Sequence, residues 1–351
     1  MASDKNKSYS DYNKLISELK KSGPKRLYLL WGEEDYLCEL YFEELKKICL
    51  GDDGGQFNYR RLNGSPLDLH ALSEALESMP FMGEHSFIEL RGFEINSYKD
   101  EKGDMFCEII SDIPDYATAV FILPTGYAPR KGLKVLKDFN KYGKTIEFTK
   151  QPGGLLVNWI IKRFNAYGKK VGRDECERLI LLSGDRMTGL IPEIDKIANY
   201  SENEIIDMST IDKIAHHIPE AKVFKMTDAM SAKDFDSAAD YLSELLQSGE
   251  PPIKTLSIIG MQMRRLYAAR LAIDKKLGRG FVAEVCKTNY NSHADNLINQ
   301  ARGFTLSKLK SILGMCAECD YRMKSSPTVK SSTEDDQALL LELFLRIAVG
   351  Q

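Results

Sequence analysis

Five short strand-like runs, separated by segments whose apolar residues recur at helical spacing, occupy the first 150 residues and then stop. They are Leu27–Trp31, Phe57–Leu62, Phe87–Leu90, Ala119–Leu123 and Thr145–Phe148. The run Leu27-Tyr28-Leu29-Leu30-Trp31 is apolar throughout and bounded by Pro24 and Gly32. It reads as a strand buried on both faces, as in a parallel sheet covered by helices. Helical spacing follows through Leu37, Leu40, Tyr41, Leu45 and Ile48, and Gly51-Asp52-Asp53-Gly54-Gly55 stops that segment. Further helices are expected through Leu69, Leu72 and Leu76, near Met105–Ile110, and through Leu133, Leu136 and Phe139. This alternation predicts a doubly wound α/β domain over residues 1–150, with the polar first 24 residues as a frayed or short leading helix.

From Gln151 the strand signals vanish. Leu155, Leu156, Trp159, Ile160 and Phe164 fit one helix, Cys176, Leu179, Ile180 and Leu182 a second, and Leu190, Ile191, Ile194 and Ile197 a third. A small helical lid over 151–218 follows, ending around His217-Ile218-Pro219. The remainder, 219–351, carries 3.6-period stripes in Ala238–Leu246, Ile253–Leu271, Leu297–Arg302, Leu306–Met323 and Ala338–Val349 and is expected to be a larger helical bundle.

The 351 residues are 43% hydrophobic and 28% charged, enough apolar side chains for two or three cores. No stretch reaches the length of a membrane span and the start lacks a signal-peptide run, so a cytoplasmic protein is expected. Seven scattered cysteines do not make a disulfide framework. Cys316 and Cys319 have CxxC spacing inside a helical stripe, with no second pair beside them to complete a zinc site. His70, His85, His216, His217 and His293 show no ligand spacing, and no metal is expected. A net charge of −3 argues against a protein coated in nucleic acid, although 14 Lys/Arg face 5 Asp/Glu between Lys254 and Lys330. That patch reads as a solvated basic face or a phosphate contact.

An α/β domain followed by a helical lid suggests the P-loop ATPase class, whose phosphate loop needs GxxxxGK[ST] between strand and helix. Here the first strand runs into Gly32-Glu33-Glu34-Asp35-Tyr36-Leu37, without the second glycine, the lysine or the Ser/Thr. Three carboxylates complement the helix dipole themselves and repel a triphosphate. Two unit charges about 4 Å apart repel by roughly 4 kcal/mol at an effective dielectric near 20. The strand ending Phe121-Ile122-Leu123-Pro124-Thr125 likewise lacks an Asp-Glu pair for magnesium. No GxSxG or GxGxxG is present. The expectation is a nucleotide fold without a nucleotide, with no cofactor and no catalytic residue of its own. Glu33, Glu34 and Asp35 read as a helix-capping cluster rather than a metal-binding one. An active ATPase with a divergent phosphate loop, and an unrelated helical scaffold, stay open as alternatives.

Eight segments in register also resemble bacterial DNA polymerase III delta subunits. They are Leu27–Leu37, Glu77–Gly83, Glu193–Tyr200, Val223–Ala229, Gly249–Pro252, Gln262–Leu266, Gln300–Phe304 and Glu318–Lys324, spanning roughly residues 25–345. The resemblance implies an AAA+-like module that does not hydrolyse ATP, a lid, and a collar that joins other clamp-loader subunits. Such a chain binds the sliding clamp and holds its ring open for loading onto primed DNA, with no membrane involved. It is then a component of the DNA-directed DNA polymerase (nucleotidyltransferase) holoenzyme rather than an enzyme by itself.

The family's clamp contact is a hydrophobic pair that maps here to Pro80 and Phe81, with Met79 and Met82 as apolar support. Family members often carry Leu-Phe there, and Pro80 departs from that. Read from the residues alone, Met79-Pro80-Phe81-Met82 lies between a helix and a strand. Pro80 breaks the helix there and Gly83 permits a turn, so Phe81 is either an exposed anchor or a cap on the local core. Lys131, Lys134 and Lys141 fall near one helix face opposite Leu133, Leu136 and Phe139, as a solvated face or a DNA-facing stripe. Glu193, Asp195 and Lys196 straddle a lid helix and suggest salt bridging, with a possible inter-subunit contact.

Overall fold

The computed structural model describes residues 8–51, 55–81, 83–288, 290–325 and 333–349. In chain order the first elements are α1 (Ser8–Ser22), β1 (Leu27–Gly32), α2 (Asp35–Leu50), β2 (Tyr59–Asn63), α3 (Leu69–Glu77), β3 (Ser86–Arg91), α4 (Asp100–Ser111), β4 (Ala117–Ile122), α5 (Lys134–Tyr142) and β5 (Lys144–Phe148). The five strands form one sheet in the order β2-β3-β4-β1-β5. Every pair is parallel, and Leu29 sits beside Phe121 on one side and Thr145 on the other.

The continuous apolar runs are explained by burial on both faces. Tyr28 meets Tyr41 of α2 at 6.2 Å between ring centroids, and Phe87 meets Phe42 at 5.6 Å. On the opposite face Leu27, Leu29, Ile88 and Phe121 join Phe93, Phe106 and Phe139, with Phe121 at 4.8, 5.5 and 5.1 Å from those three rings. Rings at these tilted and edge-on geometries add specific contacts to the area they bury. The first 150 residues thus form a doubly wound α/β domain, with helices on both sides of a parallel sheet.

Two local expectations are corrected. Phe57 and Asn58 are not in a strand: they end a 3₁₀ turn, Gly55–Asn58, and β2 begins at Tyr59. The buried Asn58 side chain is engaged by a loop amide there, so it does not alternate as a strand residue would. Lys131 is not on α5, which starts at Lys134 after a left-handed Gly132 at φ 85°.

The chain divides into two compact units, one comprising residues up to Leu155 with Arg186–Thr188, the other Leu156–Asp185 and everything from Gly189. The remaining elements begin with α6 (Gly153–Ala166), β6 (Lys170–Val171), α7 (Arg173–Ser183), α8 (Met187–Tyr200), β7 (Ile205–Ile206) and α9 (Met208–Ile214). Strands β6 and β7 pair in parallel, a feature the sequence reading missed because two residues carry no periodicity. Then come α10 (Pro219–Ser231), α11 (Phe235–Gln247), α12 (Pro252–Asp274), α13 (Arg279–Val285), α14 (Asn291–Ala301), α15 (Leu306–Lys324) and α16 (Thr333–Val349). Their core is aliphatic, built on Leu256, Met263, Leu266, Leu309, Ile312 and Leu340. Helix α13 left no stripe to read, since only Val282 of its seven residues is buried. Cys316 and Cys319 lie buried on α15, and none of the seven cysteines is in a disulfide. Among the described residues no helix is long and apolar enough to cross a membrane.

Candidate functional site

In an open parallel sheet the ligand crevice lies at the carboxyl ends of the strands, where the strand order reverses. Here a cleft of about 240 Å³ occupies that position, lined among others by Trp31, Gly32, Glu34, Asp35, Glu39 and Arg91. A phosphate loop would aim its backbone amides into such a cleft. In this chain the N–H groups of Glu33 and Glu34 both donate to the carbonyl oxygen of Phe148, at 2.9 and 3.0 Å.

The acidic side chains take up the space. Glu34 stands at the N-cap of α2 but makes no side-chain cap bond, which corrects the expected capping role. Its side chain is instead buried, 1% exposed, and the carboxylate accepts the Met187 N–H at 3.5 Å within the first unit. Asp35 accepts from the Thr125 hydroxyl at 2.7 Å. Arg91 grips Glu39 through two hydrogen bonds of 2.9 and 2.8 Å and also donates to Glu89. Glu89, almost fully buried, accepts from Tyr59 as well. Nearby, burial first and the Glu33 carboxylate second raise the carboxyl pKa of Glu147. Arg91 is the cation of this cleft, and two carboxylates already bind it. Among the described residues no three His, Cys, Asp or Glu side chains are grouped to hold a metal ion.

A second feature lies where α3 ends. Ser78 caps the helix in an extended conformation (φ −67°, ψ 114°), and Met79, Pro80 and Phe81 follow in a turn. Met79 is 81% and Phe81 62% exposed, Pro80 is half-buried, and Met82 lies outside the described residues. Three hydrogen bonds fasten the turn from beneath. The Phe81 N–H donates to Asn58 Oδ1 at 2.6 Å, Arg60 donates to the Ser78 hydroxyl at 2.7 Å, and the Tyr116 hydroxyl donates to the Glu77 carbonyl at 2.9 Å. The sequence reading missed Phe57. It is 76% exposed and meets Phe81 edge-on, 6.1 Å between ring centroids. An aromatic two residues past Gly54-Gly55 was the available signal.

The other candidates are dispersed. Lys134 is paired with Asp104, and Lys141 donates to the Tyr142 hydroxyl at 2.8 Å, its ammonium 4.5 Å from that ring's centroid. With Lys131 on the preceding turn, Lys137 is the lysine that shares the exposed face of α5 with Lys134 and Lys141. On α8, Glu193 binds Lys196 at 2.8 Å and accepts the His216 N–H at 2.7 Å, while Asp195 pairs with Arg163 at 3.0 Å. All three α8 residues therefore make salt bridges within the second unit.

Comparison with known proteins agrees with this architecture. The family model "DNA polymerase III, delta subunit" matches residues 28–149, and "DNA polymerase III delta subunit, C-terminal domain" matches 220–346. The chain is 24% identical over 338 residues to the DNA polymerase III subunit delta of Bacillus subtilis (strain 168), covering 93% of this chain and 94% of that one. It is 23% identical over 261 residues to the probable DNA polymerase III subunit delta of Aquifex aeolicus (strain VF5), covering 71% and 72%. The solved Bacillus subtilis DNA clamp loader delta protein has the same fold, with a TM-score of 0.53 at 20% identity over 96% of this chain and 99% of that chain. With both models matched in order across more than half of its length, the chain belongs to the DNA polymerase III delta subunit family.

Proposed function

We propose that this chain is the clamp-opening subunit of a bacterial clamp loader: it grips one edge of the sliding clamp through the Met79–Phe81 turn, holds the ring open and hydrolyses no ATP itself. The observation that carries this reading is the contrast between two ends of one domain. Where a triphosphate would dock, the amides of Glu33 and Glu34 already donate to Phe148 and carboxylates line the wall. Where α3 ends, an aromatic ring stands out to solvent on a backbone whose N–H is tied to Asn58 Oδ1. Keeping a ring exposed is unfavourable for an isolated chain, and a partner's pocket is where such a ring becomes an anchor.

The same reading divides the chain into three working parts: an α/β clamp-binding domain over 1–150, a helical lid over 151–218 and a collar over 219–351. The collar meets the other loader subunits, and the family membership supports that role. The Lys134–Lys141 face is exposed, and so are Lys275, Lys276, Arg302 and Lys310 of the second unit. Primed DNA is their expected counterpart in the assembled loader, in the cytoplasm.

Two titrations on the full chain test the proposal. Calorimetry with MgATP is expected to show no saturable binding up to millimolar concentration. Immobilised sliding clamp of the same replication system is expected to capture the chain without nucleotide. Saturable ATP binding would favour an active ATPase, and failure of the clamp to capture the chain would remove the clamp assignment.

A further inference from the structure

Phe57 and Phe81 lie 24 residues apart in the chain, yet they form one patch. Their rings pack edge-on at 6.1 Å, both are exposed, and Met79 beside them is more exposed still. Single exposed aromatics are ordinary, but touching aromatics on the same tip are not scattered residues. The connection is also structural. Asn58, next to Phe57 in the chain, is buried and uses its side-chain oxygen to accept the Phe81 N–H at 2.6 Å. The bond that fixes the Phe81 backbone therefore fixes the end of the 3₁₀ turn carrying Phe57.

We infer that Phe57 is a second aromatic anchor for the same sliding clamp, entering the partner's apolar surface together with Phe81. This rests on the clamp-binding reading of Phe81 and adds a residue from a different segment to that contact. Two rings that brace each other before binding lose less side-chain freedom on docking than two independent ones. Phenyl groups also supply large apolar area for few rotatable bonds. Pro80 stands where the resemblance leads one to expect a leucine, and Phe57 provides the second large apolar group from across the tip.

The test compares the wild-type full chain with Phe81→Ala, Phe57→Ala and a Phe57→Cys variant carrying a polarity-sensitive dye. All seven native cysteines are buried, so the dye goes to position 57. Phe57→Ala is expected to weaken clamp affinity about ten-fold, with an unchanged thermal midpoint because the ring is exposed. Dye emission is expected to shift to the blue and saturate as clamp is added. Wild-type affinity in Phe57→Ala beside a weakened Phe81→Ala overturns the role of Phe57 and leaves the clamp reading standing. Wild-type affinity in both variants removes the clamp reading and this inference together. A weakened Phe57→Ala with a dye that does not respond to bound clamp means that Phe57 only braces Phe81, which also overturns the inference.

Discussion

Gly32 lies so close to Phe148 that a Cβ atom on it would meet the Phe148 carbonyl oxygen at 2.1 Å. Its φ of +141° is, besides, in a region that only glycine occupies comfortably. The same carbonyl receives the amides of Glu33 and Glu34, so one glycine permits the acidic turn to close against β5 where a phosphate loop would stand open. Gly32→Ala is expected to lower stability by about 3 kcal/mol or more, read as a fall in the urea midpoint. A variant as stable as wild type would show that the turn is not held this way.

Phe81→Ala separates function from folding. The side chain is exposed, so the thermal midpoint is expected to stay within about 1 °C of wild type. Clamp affinity is expected to drop by about 2 kcal/mol or more, as for a central aromatic anchor. Surface plasmon resonance against immobilised clamp gives the second number and differential scanning calorimetry the first.

Arg91 holds two carboxylates, one of them the buried Glu89. Arg91→Met leaves Glu89 as a buried charge with only the Tyr59 hydroxyl among these partners, and is expected to destabilise by about 3 kcal/mol. Adding Glu89→Gln removes that charge and should restore part of the loss. Denaturant melts of the two single variants and the double variant give the coupling.

In the second unit Thr227, Gln262 and Gln300 form a buried polar group. Gln300 accepts from Gln262 at 3.0 Å and donates to the Phe224 carbonyl at 3.0 Å, tying α10, α12 and α14 together. Gln300→Leu removes one hydrogen bond from each of these two partners at a buried site, leaving them their bonds to Thr227, and is expected to cost about 2 kcal/mol. Hydrogen exchange should then quicken across α10 and α14 before it does so in the β-sheet unit.

The cysteines supply a pH dependence. Burial, the largest cause in each case, pushes the thiols of Cys38, Cys107 and Cys176 up to about 12 and those of Cys49 and Cys316 up to about 11. These folded values lie above the ordinary thiol value, so the unfolded chain loses its protons first as pH rises. Stability from these groups is therefore complete below about pH 9 and declines between there and pH 12. The urea midpoint should be lower at pH 10 than at pH 8. At pH 8 a thiol-reactive disulfide reagent should react slowly with the native chain and with all seven cysteines after unfolding.

Much of this was readable in advance because it rests on local periodicity. The run at Leu27–Trp31 could only be satisfied between two other strands and under helices, and the stripe through Leu69, Leu72 and Leu76 needed one buried face. The missing lysine and second glycine after Gly32 were equally plain. By contrast, Glu34 reads as a helix cap in one dimension, and its burial shows only when the Met187 amide is brought to it from 153 residues away.

The order of residues thus determined the alternation of strands and helices, the change to helices alone after Gln151, and the acidic turn in place of a phosphate loop. Each follows from the chemistry and spacing of neighbours in the chain. Tertiary structure alone decided that the amides of Glu33 and Glu34 face Phe148, that Arg91 is held by Glu39 and Glu89, and that Phe57 stands against Phe81. Those relations join residues far apart in the chain, and they exist only once the packing of the sheet sets which distant atoms come within bonding distance.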